Sequence, residues 1–326
     1  MTTSTKTRPL GPATRDAYGE ALVELGRLNP AVVVLDADLS KSTKSNGFAK
    51  AFPERFMNVG IAEANMVSMA AGLASCGLIP FASSFASFLM AKSFDQLRMG
   101  VANPRVNAKF VGSHGGISLG EDGASQQSVE DLALAVALPH MAVLVPADAV
   151  AAKALTFVAA AHAGPVFMRT GRPKAALVHA PDTVFAVGGA HTLRTGRDLT
   201  IVANGLMVHE ALCAAELAED LGLSVGVIDA YSVKPLDEAS IVKAAEDSGA
   251  LLVVEEHLTS GALGAAVAQV CARLRPVPMA FIGLQDTYAE SGTPEALLEH
   301  FGLSARHVLV ALQELLVRKQ ALMAGA

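Results

Sequence analysis

Short β-branched runs alternating with alanine-rich stretches of helical spacing constrain this chain more than any other feature. The runs are Ala31–Asp36, Val106–Gly112, Met141–Pro146, Pro165–Arg169, Leu199–Asn204, Ser224–Ala230, Ala250–Glu255 and Pro278–Gly283. Between them lie Thr14–Arg27, Ser128–Ala137, Ala149–His162, Met207–Leu221 and Leu236–Ser248. Buried strand followed by helix, repeated, predicts an α/β fold with mainly parallel, doubly wound sheets covered on both faces. A chain of 326 residues has room for two such domains at ~100–200 residues each. The alternation lapses between Thr170 and Arg197, where Gly171, Pro173, Pro181, Gly188, Gly189 and Gly196 cluster. The sequence therefore reads as a loose tail over 1–10, a first domain over 11–171, a connector over 172–196 and a second domain over 197–326.

No charged residue occurs from Ala64 to Ala91, long enough to suggest a membrane helix. Gly72, Gly77 and Pro80 interrupt the stretch and five serines are scattered through it, so a buried helix, a turn and a buried strand fit better. Met1–Pro9 is polar and has no apolar segment of the kind a secretory signal needs. With 25 basic against 31 acidic residues and no basic block, neither nucleic acid nor an anionic membrane is an expected partner. Cys76, Cys213 and Cys271 are odd in number and far apart, which fits a reducing cytoplasm rather than a disulfide framework or a cysteine zinc cluster. The nine histidines show no metal spacing, so no metal held by this chain is expected, and no G-x-S-x-G elbow offers a serine nucleophile.

Three local patterns invite chemistry. Gly261-Ala262-Leu263-Gly264 follows a strand and opens a helix; its amides could hold a phosphate, though Gly264 more simply lets the helix pack closely. Glu63 is the last charge before the uncharged stretch. It is either a helix-start glutamate favoured by the dipole or a buried carboxyl with a proton-transfer role. His114, in Gly112-Ser113-His114-Gly115-Gly116, directly follows a strand, where ligands bind in open α/β sheets. Gly120-Glu121-Asp122-Gly123 adds a second flexible polar patch.

Taken in order, several motifs resemble the C-terminal half of a transketolase. Arg15 opens the first helix, and Ala37-Asp38-Leu39-Ser40-Lys41-Ser42 follows the first strand. Val59 to Met66, Pro80 to Phe88, Ser113-His114, Gly120 to Gly123 and Phe167-Met168-Arg169 come next. The resemblance runs from about Pro12 through the second α/β domain. It implies a pyrimidine-binding domain followed by a transketolase C-terminal-like domain, and thiamine diphosphate as cofactor. Glu63 would contact the pyrimidine ring nitrogen and start catalysis, with Phe85 and Phe88 stacked on the ring. Asp38 would lie near the cofactor or a subunit contact. Arg15, Ser42 and Arg169 would hold a sugar phosphate, a task suited to the guanidinium fork. His114 and Asp122 would contact substrate hydroxyls, and His114 would take part in catalysis.

The resemblance also implies what is supplied from outside. The family holds the diphosphate through a metal bound by Gly-Asp-Gly…Asn, and this sequence contains no Gly-Asp-Gly. That implies a split transketolase, cytoplasmic, with a partner subunit carrying that motif and magnesium (or calcium), assembled as α2β2. Gln126 stands where the family pattern Gly-Glu-Asp-Gly-x-x-His-Gln has histidine; as a substrate-side residue it can hydrogen-bond but cannot shuttle a proton near neutral pH. A deoxyxylulose-phosphate-synthase-like or 2-oxoacid-dehydrogenase-like subunit remains open, as does a non-catalytic assembly subunit of the same fold. Arg15, Ser42 and Arg169 favour a sugar-phosphate enzyme, and Glu63 counts against a purely structural subunit.

Overall fold

The computed structural model describes residues 8–324. Besides the two-stranded pair of Leu10–Ala13 with Lys174–Ala176, it contains two larger α/β sheets. The first runs in the order Ser232–Lys234, Ala142–Leu144, Val166–Thr170, Lys109–Ser113, Ile79–Phe85, Val32–Asp36, Phe56–Asn58. All its pairings are parallel except that of the edge strand Ser232–Lys234. The second runs Met279–Leu284, Leu251–Leu258, Leu199–Ala203, Val225–Asp229, His191–Arg194, with only the last pairing antiparallel. Strands such as Val32–Asp36 and Val166–Thr170 are buried at every position, because helices cover both faces. The uncharged stretch forms the helix Glu63–Ser75, the strand Ile79–Phe85 and the helix Ala86–Lys92. Among the described residues no helix is long and apolar enough to cross a membrane.

Local chemistry fixes the helix ends. Asp148 accepts the Ala151 N–H at 2.8 Å to open Ala149–Ala161, and Asp237 accepts the Ser240 N–H at 3.0 Å to open Glu238–Ser248. The latter helix closes on left-handed Gly249. On Thr14–Leu28, Asp16 in the first turn and Arg27 in the last complement the dipole.

The two sheets share their packing. One core cluster joins Leu35, Val67, Phe110 and Val143 to Val202, Ile228, Ile241 and Val253. A second, built mainly from the later sheet and its helices, takes in Ile117 and Val129 of the first domain. Two strands depart from the sequence reading of the boundary. Ser232–Lys234, well inside the expected second domain, extends the first sheet. His191–Arg194, inside the expected connector, edges the second. Of the expected tail, residues 1–7 lie outside the described residues; Leu10 already belongs to the strand Leu10–Ala13, paired with Lys174–Ala176.

Candidate active site

Because the strands of the first sheet are parallel, their carboxyl ends all open at one edge, where open α/β sheets bind ligands. Five segments deliver side chains there: the turn after Val32–Asp36, the helix after Phe56–Asn58, the end of Ile79–Phe85, the loop after Lys109–Ser113 and the turn after Val166–Thr170. The helix carrying Arg15 is pinned to the same edge by Thr14 Oγ1, which accepts the Gly171 N–H at 2.7 Å.

Glu63 is the first residue of its helix and is buried. Ser84 Oγ donates to its Oε1 at 3.3 Å, and Lys92 Nζ lies 3.5 Å from Oε2. The structure thus gives this carboxylate a cationic neighbour in place of the purely apolar setting the sequence implied. Lys92 is the charge that ends the uncharged stretch, and the fold brings it back to the start. Lys92 also sits over the Phe88 ring at 4.3 Å. Phe85 stacks on Phe88 at 5.6 Å and on the His114 imidazole at 3.9 Å between centroids. A carboxylate beside flat aromatic faces suits an aminopyrimidine, which needs a polar contact at its ring nitrogen and apolar contact on its faces.

His114 has a positive φ of 61°. Arg15 Nη1 donates to its Nε2 at 3.1 Å and to the Ser42 carbonyl at 3.0 Å. Since Arg15 can only donate, Nδ1 carries the proton and donates to Ser113 Oγ at 2.8 Å. Burial, then the charges of Arg15, Arg172 and Lys44, push the His114 pKa down to about 3, so the ring is neutral at working pH. Ser42 meets Arg15 through its carbonyl. Its turn is held by buried Asp36, which accepts the Leu39 N–H (2.6 Å), Thr43 Oγ1 (2.7 Å) and Ser45 Oγ (2.9 Å). Burial raises the pKa of Asp36, and the Thr43 and Ser45 hydroxyls oppose that rise. Sequence reasoning passed over Asp36, although a carboxylate ending an all-apolar strand was a visible signal. Asp38 accepts the Asn58 side-chain N–H at 2.9 Å at the exposed end of the same turn.

The arginines depart from the sequence expectation. Arg169 is 5% exposed. Its Nη2 donates to the carbonyls of Ser128 (3.0 Å) and Glu256 (2.9 Å), and its Nε lies 3.3 Å from Asp131 Oδ2. No hydrogen bond or ion pair among the described residues links it to Arg15 or Ser42. Arg172 does reach the site. It donates to the Leu119 carbonyl, pairs with Glu121 at 3.0 Å and lies 3.9 Å from Asp122. With Arg15, Ser118, Leu119, Glu121, Pro173 and Pro294 it lines a cleft of about 220 Å³. The reason is positional: Arg169 lies inside an all-buried strand, whereas Arg172 lies beyond the strand's carboxyl end. Gln126 is half-buried on the same loop, its carbonyl accepting Ser87 Oγ at 3.1 Å.

The glycine pattern before Leu263 is not a phosphate cradle. The N–H groups of Leu263 and Gly264 donate to the Glu255 carboxylate at 3.0 and 2.8 Å. A Cβ on Gly264 would meet Phe281 at 3.0 Å, so this glycine serves close packing. Among the described residues, no group of three or more histidine, cysteine or acidic side chains is placed to hold a metal.

Residues 11–176 match the family model for the transketolase pyrimidine binding domain, and residues 188–308 match that for the transketolase C-terminal domain. The chain is 41% identical over 303 residues to a putative transketolase C-terminal section of Methanocaldococcus jannaschii, covering 92% of this chain and 95% of that protein. It is 37% identical to the 6-deoxy-6-sulfo-D-fructose transketolase subunit SqwH of a Clostridium species, covering 94% and 95%. Human transketolase is 37% identical over 94% of this chain, which spans only about half of that relative, 49%. Mouse transketolase-like protein 2 is likewise spanned over 49% of its length, at 41% identity. A solved structure described as a split gene transketolase, inactive beta4 tetramer, superposes with a TM-score of 0.89 at 48% identity, covering 95% of this chain and all of that one. With both domain models matched in order and the sheet-edge constellation in place, this chain belongs to the transketolase family and comprises its pyrimidine-binding and C-terminal domains.

Proposed function

We propose that this chain is one subunit of a split transketolase, transferring a two-carbon ketol unit from a ketose phosphate to an aldose phosphate with thiamine diphosphate. The observation that carries the reading is the convergence of two sets of groups at one sheet edge. Glu63 with Phe85 and Phe88 suits the cofactor ring, and Arg15, Arg172, His114 and Asp122 suit a phosphorylated polyol. Bound thiamine diphosphate supplies the electron sink for cleaving the carbon–carbon bond beside a ketose carbonyl. Glu63 would hold a proton contact at the pyrimidine nitrogen, and Phe85 and Phe88 would supply apolar contact to the ring. Neutral His114, its orientation set by Ser113 and Arg15, contacts a substrate hydroxyl near Asp122. Gln126 offers a hydrogen bond on the same side. Arg15 and Arg172 bind the phosphate, with the backbone turn at Ser42 fixing Arg15. Arg172 takes the role that the sequence alone suggested for Arg169.

The diphosphate and its magnesium or calcium belong, in this reading, to a partner subunit carrying Gly-Asp-Gly…Asn, and the working assembly is α2β2. Relatives of nearly the same extent are described as a C-terminal section and as a subunit, and the 48% identical tetramer is described as inactive. The test is a titration of the purified chain with thiamine diphosphate and magnesium, alone and with the partner, followed by a ketol-transfer assay. Activity should emerge only on mixing. Full ketol transfer by the chain alone would overturn the split reading, and transfer of another group by the complex would overturn the assigned reaction.

A further inference from the structure

The loop Ser113–Ser128 carries His114 and Asp122 on one side and rests on the second domain on the other. We propose that the C-terminal domain sets the geometry of this substrate loop through the Glu256 carboxylate, with Arg169 as its brace. Glu256 lies on the strand Leu251–Leu258 of the second sheet and is buried. Its Oε1 accepts the Ser118 N–H at 2.5 Å. The loop is shaped to this carboxylate. A Cβ at Gly116, where φ is +81°, would fall 2.2 Å from Glu256 Oε1, so only glycine lets the backbone close on it. A Cβ at Gly115 would fall 1.9 Å from Arg169 Nε.

Arg169 ties the ends of this arrangement together. One nitrogen, Nη2, bonds the Ser128 carbonyl at the end of the loop and the Glu256 carbonyl on the supporting strand. Burial raises the pKa of Glu256, and the Arg169 charge opposes that rise. Apolar contacts reinforce the seat, since Ile117 and Val129 pack into the core of the second sheet. Gln127 Nε2 donates to the Glu290 carbonyl at 3.0 Å, and Pro294 reaches the cleft lined by Arg15 and Arg172. A buried carboxylate is costly, and an apolar side chain would fill the same space more cheaply. What the carboxylate adds is a directional acceptor that fixes Ser118 next to that cleft. Glu256 is thus a positioning residue contributed by a domain without substrate-contacting side chains of its own in the proposed chemistry.

The inference rests on the proposed ketol transfer for its kinetic readout alone. With the full chain reconstituted with its partner, Glu256→Ala and Glu256→Asp should raise KM for a phosphorylated ketose donor by about tenfold, the scale of one lost charged hydrogen bond. Glu256→Gln keeps the acceptor and the volume, and should restore KM to within about threefold of the parent. Glu256→Asp shortens the side chain and withdraws the carboxylate from Ser118, so its KM should rise while Glu256→Gln, which still reaches Ser118, stays near the parent. In the full chain alone, hydrogen exchange at the Ser118 amide should quicken by about tenfold in the aspartate variant and not in the glutamine variant. Unchanged KM and unchanged Ser118 exchange in Glu256→Asp would overturn the proposal. So would a glutamine variant as impaired as the alanine one. If the parent complex transfers no ketol unit, the functional reading fails, while the Ser118 exchange still decides the role of Glu256.

Discussion

Replacing Arg172 and Arg169 separately with alanine distinguishes a ligand-binding arginine from a framework one three residues away. Arg172 has a side chain 35% exposed and faces the cleft it shares with Arg15. A hydrogen bond to a charged group contributes ~1.5–3 kcal/mol when well desolvated. Discounting for partial exposure leaves roughly 1.5–2 kcal/mol. Arg172→Ala should therefore raise KM for a phosphorylated ketose by about 10- to 30-fold. The effect on an unphosphorylated ketose should be small, and the thermal midpoint should move by less than ~2 °C. Arg169→Ala acts elsewhere. It strips the nearest cation from Asp131, which is fully buried. Removing one member of a buried pair costs about 3–5 kcal/mol. At ~2–4 °C per kcal/mol the midpoint should fall by roughly 6–20 °C. The assays are thermal unfolding of each chain and steady-state ketol transfer by the reconstituted complexes. The assignment is refuted if Arg169→Ala weakens use of the phosphorylated substrate at an unchanged midpoint while Arg172→Ala leaves it intact.

Glu63→Ala should lower kcat of the reconstituted complex by at least ~10²-fold, the scale of a lost proton-transfer contact, with circular dichroism unchanged; normal turnover would remove Glu63 from the proposed chemistry. Burial pushes the His257 pKa down to about 4 from its ordinary 6.5, so the unfolded chain takes up this proton before the folded one does. The stability this group contributes is present above pH 6.5 and lost as the pH falls toward 4, a span of about 3 kcal/mol. Denaturant titrations at pH 7 and pH 4.5 should show a larger loss for the parent chain than for His257→Gln, and equal losses would exclude His257 as the titrating group.

The sequence alone determined the elements and the order of the site motifs. The expected runs Leu199–Asn204 and Met207–Leu221 form the buried strand Leu199–Ala203 and the helix Met207–Glu219, because hydrophobic burial on two faces and helical spacing are local properties. Likewise Gly72, Gly77 and Pro80 sufficed to read the uncharged stretch as helix, turn and strand. Glu63 and His114 stood out as candidates because one opens a helix and the other follows a strand end, where a side chain can face a ligand, whereas Phe85 and Asp122 came from the resemblance. What lies within such elements was not legible in the same way. The resemblance placed Arg169 at the substrate and left Arg172 unremarked; in a parallel strand buried on both faces, alternation does not tell which way a polar side chain points, so nothing local corrected that placement. Only the tertiary structure brought Lys92 to Glu63, joined Ser232–Lys234 to the first sheet and set Glu256 beneath Gly116. These contacts join residues far apart in the chain. They depend on how two complete sheets pack against each other, and no local pattern of side chains encodes that packing.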